Sequence, residues 1–280
     1  MIALALAAAL AAQAPKTILF VGNSFTFGAD SDAMTYRKDS VTDLNGDGMG
    51  GVPALFKRFA DEAGLRYRVS LETAAGQTLG WHLANKRAVI DKRWDAVVLQ
   101  QYSTLDPDKP GDSASTTPAA RGLTELLRKR NPKVDISLVA TWSRPDLTYP
   151  EGKRWSGQGV RQMALDLRKA DDKVRASVPS IARVIPVGQA FSCAITRGIA
   201  DPNPYDGLTA GQVDLWAGDH YHASNHGYYL EALTVFAAVT RADPRKLGRN
   251  EKAAHDLGIK PSVAASLQRV AFDMAVRGRC

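Results

Sequence analysis

The chain has 280 residues, 45% of them hydrophobic and 23% charged, which suffices for one large core or two small ones and excludes disordered and fibrous classes. Its 23 Gly and 14 Pro are spread without period, so collagen-like and low-complexity readings fall away too. Lys and Arg number 36 against 29 Asp and Glu, a net charge of +7, but the basic residues form no patch; Arg128-Lys129-Arg130 and the stretch from Arg241 to Arg249 sit at expected helix ends, and no nucleic-acid partner is expected.

Residues 1–14 form an alanine-rich apolar run ending in Ala12-Gln13-Ala14, a small-x-small pattern of the kind a signal peptidase cleaves. A signal peptide over 1–14 is expected, with 15–280 as a single domain exported to the periplasm or the extracellular space. No Lys or Arg forms a basic region before the run, and a frayed N-terminal helix is the competing reading. About a dozen apolar residues are too few to cross a bilayer of roughly 30 Å, and no other stretch is long enough, so stable membrane insertion is not expected. In an oxidising compartment Cys193 and Cys280 can pair; their spacing resembles no zinc site.

Thr17-Ile18-Leu19-Phe20-Val21 is a β-branched and aromatic run ended by Gly22, hence a buried first strand feeding a loop. Ser24, in Gly22-Asn23-Ser24-Phe25-Thr26, stands directly after it, where a serine acts either as a nucleophile or as a turn and cap residue. The loop from Phe25 to Gly51 is long enough to suggest a lid or substrate contact, with Tyr36 a candidate on the rim. Inside it, Asp43-Leu44-Asn45-Gly46-Asp47-Gly48 matches the first half of a calcium loop, but Ala54 occupies the twelfth position, where a bidentate glutamate is required. No metal or other cofactor is expected.

Val52 to Ala63 carries Leu55, Phe56, Phe59 and Ala60 at helical spacing and stops at Gly64. Strands follow at Tyr67 to Leu71 and Asp95 to Gln100, a helix over Arg121 to Arg130, a strand over Val134 to Ala140 after the break at Pro132, a long helix from Gln158 to Val178, a strand at Ile181 to Val187 and a closing helix from Gly227 to Thr240. Five short apolar strands alternating with helices argue for an α/β protein with a parallel sheet covered on both faces. Ligands of such sheets bind at the carboxyl ends of the strands, so the loops after Val21, Leu71, Leu99 and Ala140 form the expected rim, with Trp142 a further candidate.

Ahead of the closing helix stands Asp219-His220-Tyr221-His222-Ala223-Ser224. A carboxylate three residues before an imidazole can orient one ring nitrogen while the other takes a proton from a serine. His220, His222 and His226 are a zinc alternative, but no further Cys or Glu stands at suitable spacing. No Gly-x-Gly-x-x-Gly or phosphate-binding lysine motif follows the first strand, which argues against a nucleotide site.

A Gly-Asn-Ser block after the first strand and an Asp-x-x-His block before the C-terminal helix together resemble the SGNH (GDSL-like) hydrolases, over Thr17 to about Thr240. The resemblance implies a flavodoxin-like three-layer α/β/α sandwich around a central five-stranded parallel sheet, with Ser24, His222 and Asp219 as a catalytic triad. It further implies an oxyanion hole made by the Ser24 amide, a glycine after the second strand, which Gly76 matches, and an asparagine in a Gly-x-Asn-Asp block after the third. Here the third strand ends in Leu99-Gln100-Gln101-Tyr102-Ser103 and that block is missing. A glutamine amide donates as an asparagine amide does, and Gln100 is the expected donor, leaving Gln101, Trp142 and Tyr36 as substrate contacts. Leu99-Gln100 together with Thr141-Trp142 resembles a divergent branch of the family. The expected activity is hydrolysis of small-molecule or carbohydrate esters, acetylated carbohydrate among them, without a cofactor. The alternative is a secreted, non-catalytic carbohydrate-binding protein on the same sheet.

Overall fold

The computed structural model describes residues 14–280, so all but the last residue of the expected signal peptide lies outside the described residues. Six strands, β1 (Lys16–Gly22), β2 (Thr42–Asp43), β3 (Tyr67–Thr73), β4 (Ala96–Gln100), β5 (Asp135–Ala140) and β6 (Ile181–Pro186), form one sheet in the order β2-β3-β1-β4-β5-β6. Every pairing is parallel. The helices are α1 (Ser24–Phe27), α2 (Gly51–Glu62), α3 (Leu79–Asn85), α4 (Arg87–Ile90), α5 (Thr116–Arg130), α6 (Pro145–Thr148), α7 (Gly159–Ser177), α8 (Val187–Thr196), α9 (Asn225–Thr240), α10 (Lys252–Asp256) and α11 (Pro261–Phe272).

The apolar runs are continuous because both faces of the sheet are buried. Ile18 and Phe20 of β1 point into a core shared with α2, α8, α9 and α11, while Leu19 and Val21 point into a second core with Leu79 of α3 and Leu123, Leu126 and Leu127 of α5. Strand alternation thus sorts one hydrophobic string into two layers, giving the α/β/α sandwich. The sheet has six strands where five were expected. The extra one, β2, is two residues on the edge, paired as Thr42 with Ser70 and Asp43 with Leu71. It carries no apolar pattern that could have announced it.

The calcium-like segment around β2 is a self-satisfied turn. Asp43 accepts the amides of Asn45 at 2.9 Å and Met49 at 3.1 Å. Asn45 in turn donates to the carbonyl of Thr73 at 2.7 Å, anchoring the long loop to the end of β3.

Residues after Thr240 belong to the main core: Ala264, Leu267, Val270 and Ala271 of α11 pack with α9. Cys193 of α8 and the C-terminal Cys280 are joined by a disulfide. No helix among the described residues is long and apolar enough to cross a membrane.

Candidate active site

Gly22 closes β1 in a crowded spot; a Cβ there would lie 2.1 Å from Thr26 Oγ1 and 2.7 Å from Gln100 Oε1. Asn23 then caps α1, its side chain accepting from the Phe25 amide at 3.2 Å and donating to the Gln77 carbonyl at 3.0 Å. Ser24 is the first residue of this single turn, 6% exposed at the carboxyl edge of the sheet. From below, the Tyr228 hydroxyl of α9 donates to the carbonyls of Ser24 at 3.3 Å and Ala29 at 3.1 Å. The serine therefore sits on a turn pinned from three sides.

The Asp219–His222 pair is formed. His222 Nδ1 lies 2.6 Å from Asp219 Oδ2, and Asp219 Oδ1 accepts the amides of Tyr221 at 3.0 Å and His222 at 2.9 Å. Burial alone would raise the Asp219 pKa, but these two amides and the imidazole outweigh it and hold the carboxyl below its usual range. His220, between them in the chain, adopts a left-handed backbone at φ +57°. His222 Nε2 is buried with no hydrogen-bond partner, so Ser24 is not bonded to it in this structure. The Phe25 ring, next to the serine in sequence, lies 5.8 Å from the imidazole.

A second carboxylate shares this imidazole. Asp30 Oδ2 is 2.8 Å from His222 Nδ1, carried there by a backbone at φ +58° that no sequence pattern announces. Asp30, Asp219 and His222 are the only group of three potential metal ligands whose donor atoms converge among the described residues. The three-histidine alternative does not assemble: of His220, His222 and His226 only His222 belongs to that group, His220 packs on Tyr205 at 4.2 Å, and burial lowers the His226 pKa.

The amides of Ser24 and Gly76 hydrogen-bond to no other group among the described residues. Gly76, at φ +68°, has open space where a Cβ would stand. The neighbouring Gln77 carbonyl accepts from Asn23, which ties this loop to the residue before Ser24.

The glutamines do otherwise. Gln100 is turned inward at 1% exposure, its Oε1 accepting from the Asn23 amide and the Thr26 hydroxyl at 3.0 Å each and its amide nitrogen donating to the Gln101 carbonyl. It holds the Ser24 turn from behind, with one of the two N–H groups of its amide spent on that carbonyl. Gln101, expected to touch substrate, is buried on the other side, accepting from the Leu79 amide at 2.7 Å and donating to the Leu105 carbonyl at 2.9 Å and Thr116 at 3.0 Å. Trp142 is likewise no rim residue: it is fully buried, stacked on Phe25 at 3.9 Å and Phe191 at 5.2 Å. Tyr36 commits its hydroxyl to Asp256 at 2.9 Å, away from the serine.

What the loops after β4 and β5 bring to the site is Ser103, Arg144 and, from the Asp-x-x-His turn, Tyr221. Arg144 is held by Asp146 at 2.6 and 3.1 Å, donates to Ser103 Oγ at 3.1 Å, and lies 3.7 Å over the Tyr221 ring. Burial keeps the Tyr221 pKa above the usual phenol value although Arg144 and the hydroxyls of Ser103 and Ser24 pull it down. Two cavities of about 530 and 540 Å³, one beside Arg58 and Lys260 and one beside Lys16 and Asp95, do not include Ser24.

Comparison with solved structures places this architecture. A DUF4886 family protein from Bacteroides uniformis superposes with a TM-score of 0.64 at 18% identity, covering 95% of this chain and 96% of that one. A protein from Parabacteroides merdae described as a GDSL-like lipase gives 0.56 at 18% identity, over 82% of this chain and 98% of that one. A member of the lipolytic protein G-D-S-L family from Veillonella parvula gives 0.52 at 15% identity, over 81% and 100%. No family model and no curated protein matches the sequence.

Proposed function

With the fold of the GDSL-like, or SGNH, hydrolases as its frame, we propose that the chain is a serine esterase that hydrolyses carboxylic esters through Ser24, His222 and Asp219. The observation that carries this reading is the His222–Asp219 pair at 2.6 Å, whose buried and unpartnered Nε2 stands beside the turn that presents Ser24. With Nδ1 engaged by Asp219, Nε2 is the ring nitrogen left to take a proton from a serine.

The Ser24 hydroxyl rotates onto Nε2, gives up its proton as Oγ bonds to the ester carbon, and Asp219 stabilises the imidazolium that results. The amides of Ser24 and Gly76 receive the oxyanion. The C–O bond to the alcohol breaks, the alcohol leaves with the proton from His222, and water cleaves the acyl-enzyme by the same path. Base catalysis by the histidine contributes about 10²–10⁴-fold.

Acetylated carbohydrate is the substrate class we propose to test first. Export, proposed from residues 1–14, fits the Cys193–Cys280 disulfide, since such bonds persist in oxidising compartments. The test is turnover of p-nitrophenyl acetate and acetylated sugars by wild type and Ser24→Ala, both checked for folding by circular dichroism. Turnover lost in the variant supports the reading; equal rates, or none by the wild type on any ester, overturn it.

A further inference from the structure

We infer that Tyr205, with Tyr149 and His220 beside it, is a shelf on which a pyranose ring of the substrate lies, so that the alcohol portion of the ester is a sugar. This rests on the esterase reading above and names the part of the molecule that would hold the alcohol.

The loop between α8 and α9 leaves in solvent what a fold ordinarily hides: Tyr205 is 47% exposed and Leu208 60%. A single exposed hydrophobic residue needs no explanation, but Tyr205 is joined by ring contacts to the turn that carries His222. Its ring centroid lies 4.2 Å from that of His220 and 5.7 Å from that of Tyr149. His220 is two residues from His222, a span of at most about 7 Å. Tyr221, between them, lies 4.2 Å from the His222 ring and 5.4 Å from Phe25, the residue after Ser24. Rings, linked once through the chain between His220 and Tyr221, thus lead from the catalytic pair out to solvent.

The shelf is braced from behind. Asp201, 3% exposed, closes the loop by accepting the amides of Asn203 at 2.9 Å and Thr209 at 2.7 Å. Asn203 Oδ1 accepts the Tyr205 amide at 3.1 Å, and the Tyr149 hydroxyl donates to the Pro202 carbonyl at 2.7 Å. The Asp146 amide donates to the His220 carbonyl at 3.3 Å, which ties α6 to the catalytic turn. Three separate segments therefore hold three rings in place, and a ring fixed in advance loses little freedom when a ligand covers it.

A pyranose has a flat face of C–H bonds and a rim of hydroxyls. The rings suit the face. Carboxylates suit the rim: Asp206, next to Tyr205 in the chain, is held by Asn203 at 2.7 Å, and Asp146, bonded through its amide to His220, is held by Arg144 at 2.6 and 3.1 Å. Each keeps lone pairs for a hydroxyl. A long acyl chain or an aryl group would call for an enclosed apolar pocket, whereas these rings stand open with carboxylates close in the chain. The shelf makes and breaks no bond; it holds the alcohol portion while Ser24 attacks the acyl carbon.

The experiment compares wild type, Tyr205→Ala, Tyr205→Phe and Ser24→Ala, each checked by circular dichroism, on ethyl acetate, p-nitrophenyl acetate and O-acetylated xylo-, gluco- and manno-oligosaccharides. Wild type is expected to prefer at least one oligosaccharide to ethyl acetate in kcat/KM. Tyr205→Ala is expected to lower that preference about tenfold, mainly through KM, and Tyr205→Phe, which keeps the ring, to hold it within about threefold of wild type. The inference is overturned, with the esterase reading left standing, by a wild type that prefers no oligosaccharide or by a preference that survives Tyr205→Ala. An equal loss on ethyl acetate overturns it too, since the loop would then only support the catalytic turn, and so does an equal loss on p-nitrophenyl acetate, which would make the shelf an aryl site. Wild-type turnover by Ser24→Ala overturns the esterase reading and this inference with it.

Discussion

Replacing Gln100 by leucine separates a buried support from an oxyanion donor. The substitution keeps the volume roughly constant and removes both the acceptor for the Asn23 amide and the Thr26 hydroxyl, each at 3.0 Å, and the donor to the Gln101 carbonyl. Asn23 and Thr26 are 2% and 4% exposed, so water does not replace the lost partner. A buried donor left unsatisfied costs about 1–3 kcal/mol; with the Thr26 hydroxyl partly free to turn elsewhere, the sum is about 2–4 kcal/mol. For a chain of this size each kcal/mol moves Tm by about 2–4 °C, so Gln100→Leu is expected to melt roughly 4–16 °C below wild type. The assay is thermal unfolding by circular dichroism, with p-nitrophenyl acetate turnover measured well below both transitions. Turnover should fall too, because Asn23 and Thr26 flank the nucleophile. A Tm within about 2 °C of wild type together with a large loss of kcat would refute the reasoning and return Gln100 to the oxyanion.

Three further substitutions test other parts of the account. Glu231 of α9 is buried, with one carboxyl oxygen unpartnered, and burial pushes its pKa well above the ordinary 4.5. A carboxyl raised in the folded state contributes stability that is full below the unfolded value and is lost as pH rises, so Glu231→Gln should be more stable than wild type at about pH 8, by a margin that shrinks toward pH 4.5; a Tm difference constant across pH contradicts this. Trp142→Ala removes a ring stacked between Phe25 and Phe191 and should cost about 3–5 kcal/mol, read as a lower urea midpoint. An unchanged midpoint would show that the stack is not a keystone. Asp219→Asn should lower kcat about 10⁴-fold, whereas Asp30→Asn should lower it less than tenfold, since Asp30 is the more exposed partner of His222 Nδ1 and accepts no backbone amide of the catalytic turn; the reverse order in the two kcat values would make Asp30 the orienting carboxylate.

The alternating architecture was legible because β1, β3, β4, β5 and β6 are buried on both faces and so read as apolar runs. β2 was not, since a two-residue edge strand of Thr42 and Asp43 carries no such run. The Asp219–His222 pair was legible for a related reason: an Asp-x-x-His spacing is a local feature, and the pair forms within one turn. Direction was the part hidden from the sequence. Gln100 and Gln101 are consecutive, so alternation sends them to opposite sides of the sheet, one under the Ser24 turn and the other under α3 and α5. Trp142 belongs to the core for the same reason a rim position was expected of it, as a large aromatic at a strand end whose destination depends on what packs there. Asp30 reaches the imidazole through a left-handed backbone at φ +58°, and Tyr221 is fixed by Arg144 from another loop, 77 residues earlier in the chain. Neither placement leaves a trace in spacing or composition.

The most direct measurement is to quench a reaction with p-nitrophenyl acetate in acid and map the acyl group by mass spectrometry of the digested protein. A single acetyl group on Ser24, accumulating in step with the burst of p-nitrophenol and missing from Ser24→Ala, is the expected result. Turnover that proceeds with no adduct at Ser24, or with the acyl group on another residue, would contradict the account at its centre.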